Sequence, residues 1–134
     1  MTEIKKITKI ALIWYTIAGF LFAFMFIVFT GFTMNFMQWP YNDPIDFWFQ
    51  GGTMLVMSIT TLLALFIKEW ERIKLFFFVS ILWLIMVLIL DIVAVAVLPE
   101  FIFPEPPFFT MLTFIIILTF NLVIGLVSWM AQRR

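Results

Sequence analysis

Three long stretches of this chain contain no charged residue: between Lys9 and Asp43, between Asp46 and Lys68, and between Glu105 and Arg133. A fourth, between Lys74 and Glu100, holds only Asp91. An apolar run of about 20 residues is what a helix needs to cross about 30 Å of hydrocarbon. The tracts therefore predict four membrane-spanning helices, over about 10–37, 44–67, 75–98 and 107–130. Composition agrees: the chain is 65% hydrophobic and 12% charged, with a mean hydropathy of +1.16, against roughly 45–50% and about 25% in soluble domains. The expected fold is an all-α integral membrane protein, one up-down-up-down bundle of four transmembrane helices over residues 1–134. The lipid bilayer is its main partner. The first tract exceeds the core of a signal peptide, and no small-x-small cleavage site follows it before the next polar loop, so it reads as a retained helix.

The charges orient this bundle. In a four-span arrangement all eight bases, Lys5, Lys6, Lys9, Lys68, Arg72, Lys74, Arg133 and Arg134, fall on the side of the N-terminus, with Glu3, Glu69 and Glu71. Asp43, Asp46, Glu100 and Glu105 fall on the other side, and Asp91 lies within a span. Bases are retained on the cytoplasmic side, so the expectation is a multi-pass cell-membrane protein with both termini cytoplasmic. Rings cluster where interfacial belts belong: Trp14, Tyr15, Trp70 and Trp129 toward the inner boundary, and Trp39, Tyr41, Trp48, Phe101, Phe103 and Phe108 toward the outer one. Trp83 is the exception, in mid-span.

The densest polar segment is "QWPYNDPIDFWFQGG", residues 38–52. Pro40 ends the first helix, and Asn42-Asp43-Pro44 reads as a turn that starts the second. Asp43 is the expected N-cap, Pro44 the first helical residue, and Asp46 an acid at the third position, favourable at the positive end of the helix dipole. A divalent-cation site from Asp43, Asp46, Glu100 and Glu105 is the sharper alternative, but no EF-hand-like spacing is present. Prolines at 99, 104, 106 and 107 stiffen the second outer loop. On the inner side "KEWERIK" is rich in helix formers and could continue the second helix before the chain turns.

Small and polar residues at helical spacing mark the faces on which membrane helices meet. They are Ala11, Ala18, Gly19, Ala23 and Thr30 in the first span, and Thr53, Thr60, Thr61 and Ala64 in the second. The third offers Ser80, Asp91 and Ala94, and the fourth Thr110, Thr113, Asn121, Gly125 and Ser128. Gly51-Gly52 is expected to allow close helix packing. An acid inside a span is costly and is a functional hypothesis by default. Asp91 lies about 10 Å below the outer end of its helix at about 1.5 Å per residue, level with Thr30, Thr53 and Thr113. No Lys, Arg or His occupies any span, so no countercharge is available within the subunit. Asp91, Thr30, Thr53, Thr113 and Asn121 form the candidate intramembrane polar site, to be weighed against a plain hydrogen-bonded core position.

Catalysis needs clustered nucleophiles, bases or metal ligands. The chain has no Cys and no His, no phosphate-binding glycine loop, and no basic surface that points to nucleic acid, so no cofactor, metal or catalytic residue is expected. "WPYNDP", followed by Gly51-Gly52, a second span, "KEWERIK" and a third span with "LWLI", resembles a group of uncharacterised small four-span membrane proteins, mainly archaeal, with a W-P-x-x-D-P loop. More distantly the layout is similar to DoxX-like four-helix proteins, a resemblance that implies the same four-span bundle. Some DoxX-like proteins are subunits associated with membrane redox systems. The leading functional expectation is a non-enzymatic protein that acts by self-association or as an accessory subunit of a membrane complex. The alternative is a small homo-oligomeric channel or transporter that uses Asp91 as a proton, cation or ligand site.

Overall fold

A computed structural model describes residues 3–37, 44–97 and 108–133. They form α1 (Lys6–Ile27), α2 (Thr30–Phe36), α3 (Ile45–Leu65), α4 (Trp70–Val97) and α5 (Phe108–Arg133). The four long helices have 21 to 28 residues, or about 31–42 Å at 1.5 Å per residue. Each is long and apolar enough to span a bilayer. Their outward faces carry large apolar side chains, among them Val56 (63% exposed) and Leu75 (74%). Hydrocarbon, which has no preference against such groups, is the solvent this surface fits. The chain is a multi-pass, all-α membrane bundle.

The expected first helix, over 10–37, is not continuous. It breaks at Val28 and Phe29, and the short α2 follows. At the break the Phe29 N–H donates to the Phe24 carbonyl, five residues back, at 3.4 Å. That π-type step widens the turn and releases carbonyls from the regular ladder. Hydroxyls take over their hydrogen bonds. Thr33 Oγ1 donates at 2.8 Å to Met25 O, eight residues back, and Thr30 Oγ1 reaches Phe26 O at 2.7 Å. Without water nearby, a released carbonyl needs such a partner.

Helix ends also differ from the apolar bounds. α1 begins at Lys6, α4 at Trp70, and α5 runs to Arg133, because long basic side chains let a helix continue past the hydrocarbon edge with their charges in water. The "KEWERIK" segment does not prolong the second span. α3 ends at Leu65 and most of the segment opens α4. The Ile4 N–H donates to Lys68 O at 3.1 Å, and Glu3 bridges to Glu69 in antiparallel fashion, which holds the connection extended. Trp70 is thereby turned into the core against Phe77 and Trp129. The ion pairs Arg72–Glu69 and Lys74–Glu71 are exposed and contribute little.

α1 and α3 pack antiparallel along most of their length. Thr16 meets Thr61 through a 2.9 Å hydroxyl bond, Gly19 lies against Ser58, and Gly51 lies against Phe26 and Ile27. α5 joins α1 where the Tyr15 hydroxyl and Ile81 of α4 crowd Gly125, and α4 packs on α5 through Phe77, Phe78 and Trp129. Around the bundle the order is α3, α1, α5, α4. At the end that carries the basic residues, the buried side chains Ile4, Leu12, Ala64, Ile73 and Phe77 make a dense plug. Gln132 ties it together: Oε1 accepts from the Lys5 N–H (2.9 Å) and the Thr8 hydroxyl (3.1 Å), and Nε2 donates to Glu3 O (2.7 Å).

Candidate functional site

Only a four-residue connection, 66–69, separates α3 from α4, so the two helices are held near one another at the basic end. Further along they make no close packing comparable to that of the other neighbouring pairs. The space between them is a cavity of about 590 Å³ that reaches inward to α1 and α5. On α4 its lining runs from Ser80 to Asp91, and on α3 from Thr61 to Phe49, about 16–18 Å along the helix axes at 1.5 Å per residue. On α3 this run is centred on the middle of the helix, and the plug closes the space toward the basic end.

Its deep end is built from Tyr15, Ser80 and Asn121. The Tyr15 hydroxyl donates to Asn121 O at 2.6 Å, and the Asn121 side chain accepts from Trp14 Nε1 at 2.8 Å while its Nδ2 donates to Ile117 O at 2.8 Å. The Ser80 hydroxyl donates to Phe76 O at 3.0 Å. The floor is polar in composition yet nearly saturated. The walls are mostly apolar and aromatic, with Phe22, Phe26, Phe49, Trp83 and Phe114 among the lining residues.

Toward the distal end stand Gln50, Thr53 and Asp91. Thr53 Oγ1 donates to Phe49 O at 3.0 Å. Asp91 is half-buried. Among the described residues its carboxylate makes no hydrogen bond and no ion pair, and the same is true of the Gln50 amide and the Trp83 indole N–H. These three unpartnered groups lie on α3 and α4, the helices that stand apart. Gln50 is exposed, whereas Asp91 and Trp83 are half-buried, and a polar group withdrawn from water gains from a partner.

Of the residues singled out from the sequence, Asp91, Thr53 and Asn121 line this one cavity. Thr30 does not. It is buried beside the break in the first span, where Oγ1 also accepts from Trp48 Nε1 at 2.9 Å, so it stabilises an irregular backbone. Thr113 is exposed and is not a lining residue. Asp43 lies outside the described residues, as do Glu100 and Glu105. Pro44 immediately precedes α3 in a helical conformation (φ −78°, ψ −10°), and its carbonyl accepts from the Trp48 N–H at 3.0 Å. Asp46 is exposed in the first turn, one position earlier than expected.

Among the lining residues, Tyr15, Gln50, Thr61, Ser80 and Trp83 carry polar groups that sequence reasoning did not assign to a site. Trp83 carried the one available signal, an indole away from both expected belts. Trp14 and Tyr15 were read as part of the inner belt, but both bond at the level of Asn121 on α5. The chain matches no protein-family model, no curated protein and no solved structure.

Proposed function

We propose that this is a non-enzymatic membrane protein whose working part is the cavity, which captures a small, largely apolar molecule from within the cell membrane, with both termini in the cytoplasm. The observation that carries the reading is a space of about 590 Å³, within the roughly 300–1,000 Å³ typical of small-molecule sites. It is blind toward the basic end, and its unbonded polar groups stand on the two helices that bound its open side. A bundle selected only for stability would bring α3 and α4 together, because close packing is what drives helices to associate in lipid.

The lining supports binding rather than catalysis, since its hydroxyls already bond backbone carbonyls and its only carboxylate stands apart from any nucleophile or second acid among the described residues. Self-association or service as an accessory subunit draws support from the apolar outer faces, but lipid covers such faces equally well. The direct test fills the space. Val87→Trp, which projects an indole into the cavity, is expected to weaken binding of a neutral solvatochromic dye to the purified protein at least tenfold. Val123→Trp, on an exposed position of α5 outside the lining, is expected to leave it unchanged. Equal dye affinities for the two variants would sink the proposal.

A further inference from the structure

We propose that the cavity selects a monovalent organic cation with a bulky apolar or aromatic body, its charge set against the Asp91 carboxylate; this rests on the cavity reading above and names its ligand class. Charge complementarity carries the inference. The lining holds one carboxylate and no Lys or Arg, while the bases of the described residues are gathered at the opposite end of the bundle. Asp91 is the one lining carboxylate, it is half-buried, and it has no partner among the described residues. The ionised carboxylate in such surroundings is stabilised by a cation beside it. A neutral ligand offers the charged form no such gain, and an anion opposes it.

The rest of the lining fixes what kind of cation fits. Phe22, Phe26, Phe49, Trp83 and Phe114 offer rings whose faces attract a cation within about 6 Å of their centroids, and they solvate an apolar body at the same time. A bare metal ion is a poor match: hard cations take six or more oxygen ligands, and no group of three acids, histidines or cysteines occurs among the described residues. Gln50, Thr53 and the Trp83 N–H are uncharged. One acid therefore balances one positive charge.

The test compares tetraphenylphosphonium with tetraphenylborate, ions of nearly the same shape and opposite charge, by equilibrium dialysis against the full chain in a neutral detergent. Asp91→Asn is expected to lower phosphonium affinity at least fivefold without an equal loss for borate, while Asp91→Glu keeps most of the phosphonium affinity. A smaller loss in Asp91→Asn, or an equal loss for both ions, overturns the proposal. Displacement of the neutral dye from the unsubstituted protein gives a second readout that needs no variant. The phosphonium is expected to displace it at least fivefold more effectively than the borate, and any lesser preference overturns the proposal. The two readings fail separately: dye binding that Val87→Trp blocks but that shows no preference for the cation leaves the cavity and removes its charge selectivity, whereas dye binding indifferent to Val87→Trp removes the cavity itself.

Discussion

Gly51 and Gly52 are neighbours with opposite surroundings. A Cβ on Gly51 would lie 2.7 Å from Ile27 Cγ1 and 3.0 Å from Phe26 Cβ, whereas one on Gly52 would meet nothing within 4 Å. Gly51→Ala is therefore expected to destabilise the bundle by about 1–3 kcal/mol through overpacking. Gly52→Ala is expected to stabilise it by about 0.5–1 kcal/mol through helix propensity. Unfolding in mixed micelles of increasing denaturing-detergent fraction measures both, and equal effects would contradict the α1–α3 seam. A glycine pair in the sequence says that something comes close, without saying to which of the two. Asp91 has the same limit: its charge within an apolar tract was legible, and its lack of a partner among the described residues depends on residues far along the chain.

The first span is where an element departs most from its apolar pattern. Hydropathy over 10–37 is unbroken, so nothing in it signals the interruption at Val28 and Phe29; Thr30 nearby reads as a helix-facing polar group, and Thr33 carries no signal of its own. In the folded chain Thr33 instead satisfies Met25 O, with Phe29 O also within 3.0 Å. Thr33→Val keeps the side chain's shape and removes that donor. It is expected to cost about 1–3 kcal/mol, the usual penalty for leaving a buried group unsatisfied. Thr60→Val is expected to be nearly neutral in the same detergent titration, because its hydroxyl is an exposed bond back to Val56 O in a regular helix. If the two variants unfold alike, the break is not held by hydroxyl bonds.

Across the whole molecule the charges divide by end, and the proposed orientation follows from keeping the basic end in the cytoplasm. The natural absence of cysteine makes this directly measurable with single introduced thiols. In intact cells an impermeant maleimide is expected to label Glu105→Cys, and to label Thr2→Cys only after the membrane is opened. The reverse pattern would turn the bundle over and put the plug on the outer side. The open side between α3 and α4 is also a property of this scale. It arises because α1 engages both α3 and α5 while α4 engages only α5 closely, leaving one flank of a four-helix ring unclosed.

Span number, approximate span limits and the segregation of charge were readable from residues alone, because the cost of moving each side chain from water to hydrocarbon adds along the chain and needs no knowledge of neighbours. The break in the first span, the different fates of Gly51 and Gly52, and the parting of Thr30 and Thr113 from Asp91, Thr53 and Asn121 were not. They depend on which helix faces meet and how closely, and in lipid that is decided by close packing and hydrogen bonds between distant segments rather than by hydrophobicity. An apolar tract looks the same whether it closes against a neighbour or stands away from one to leave a cavity.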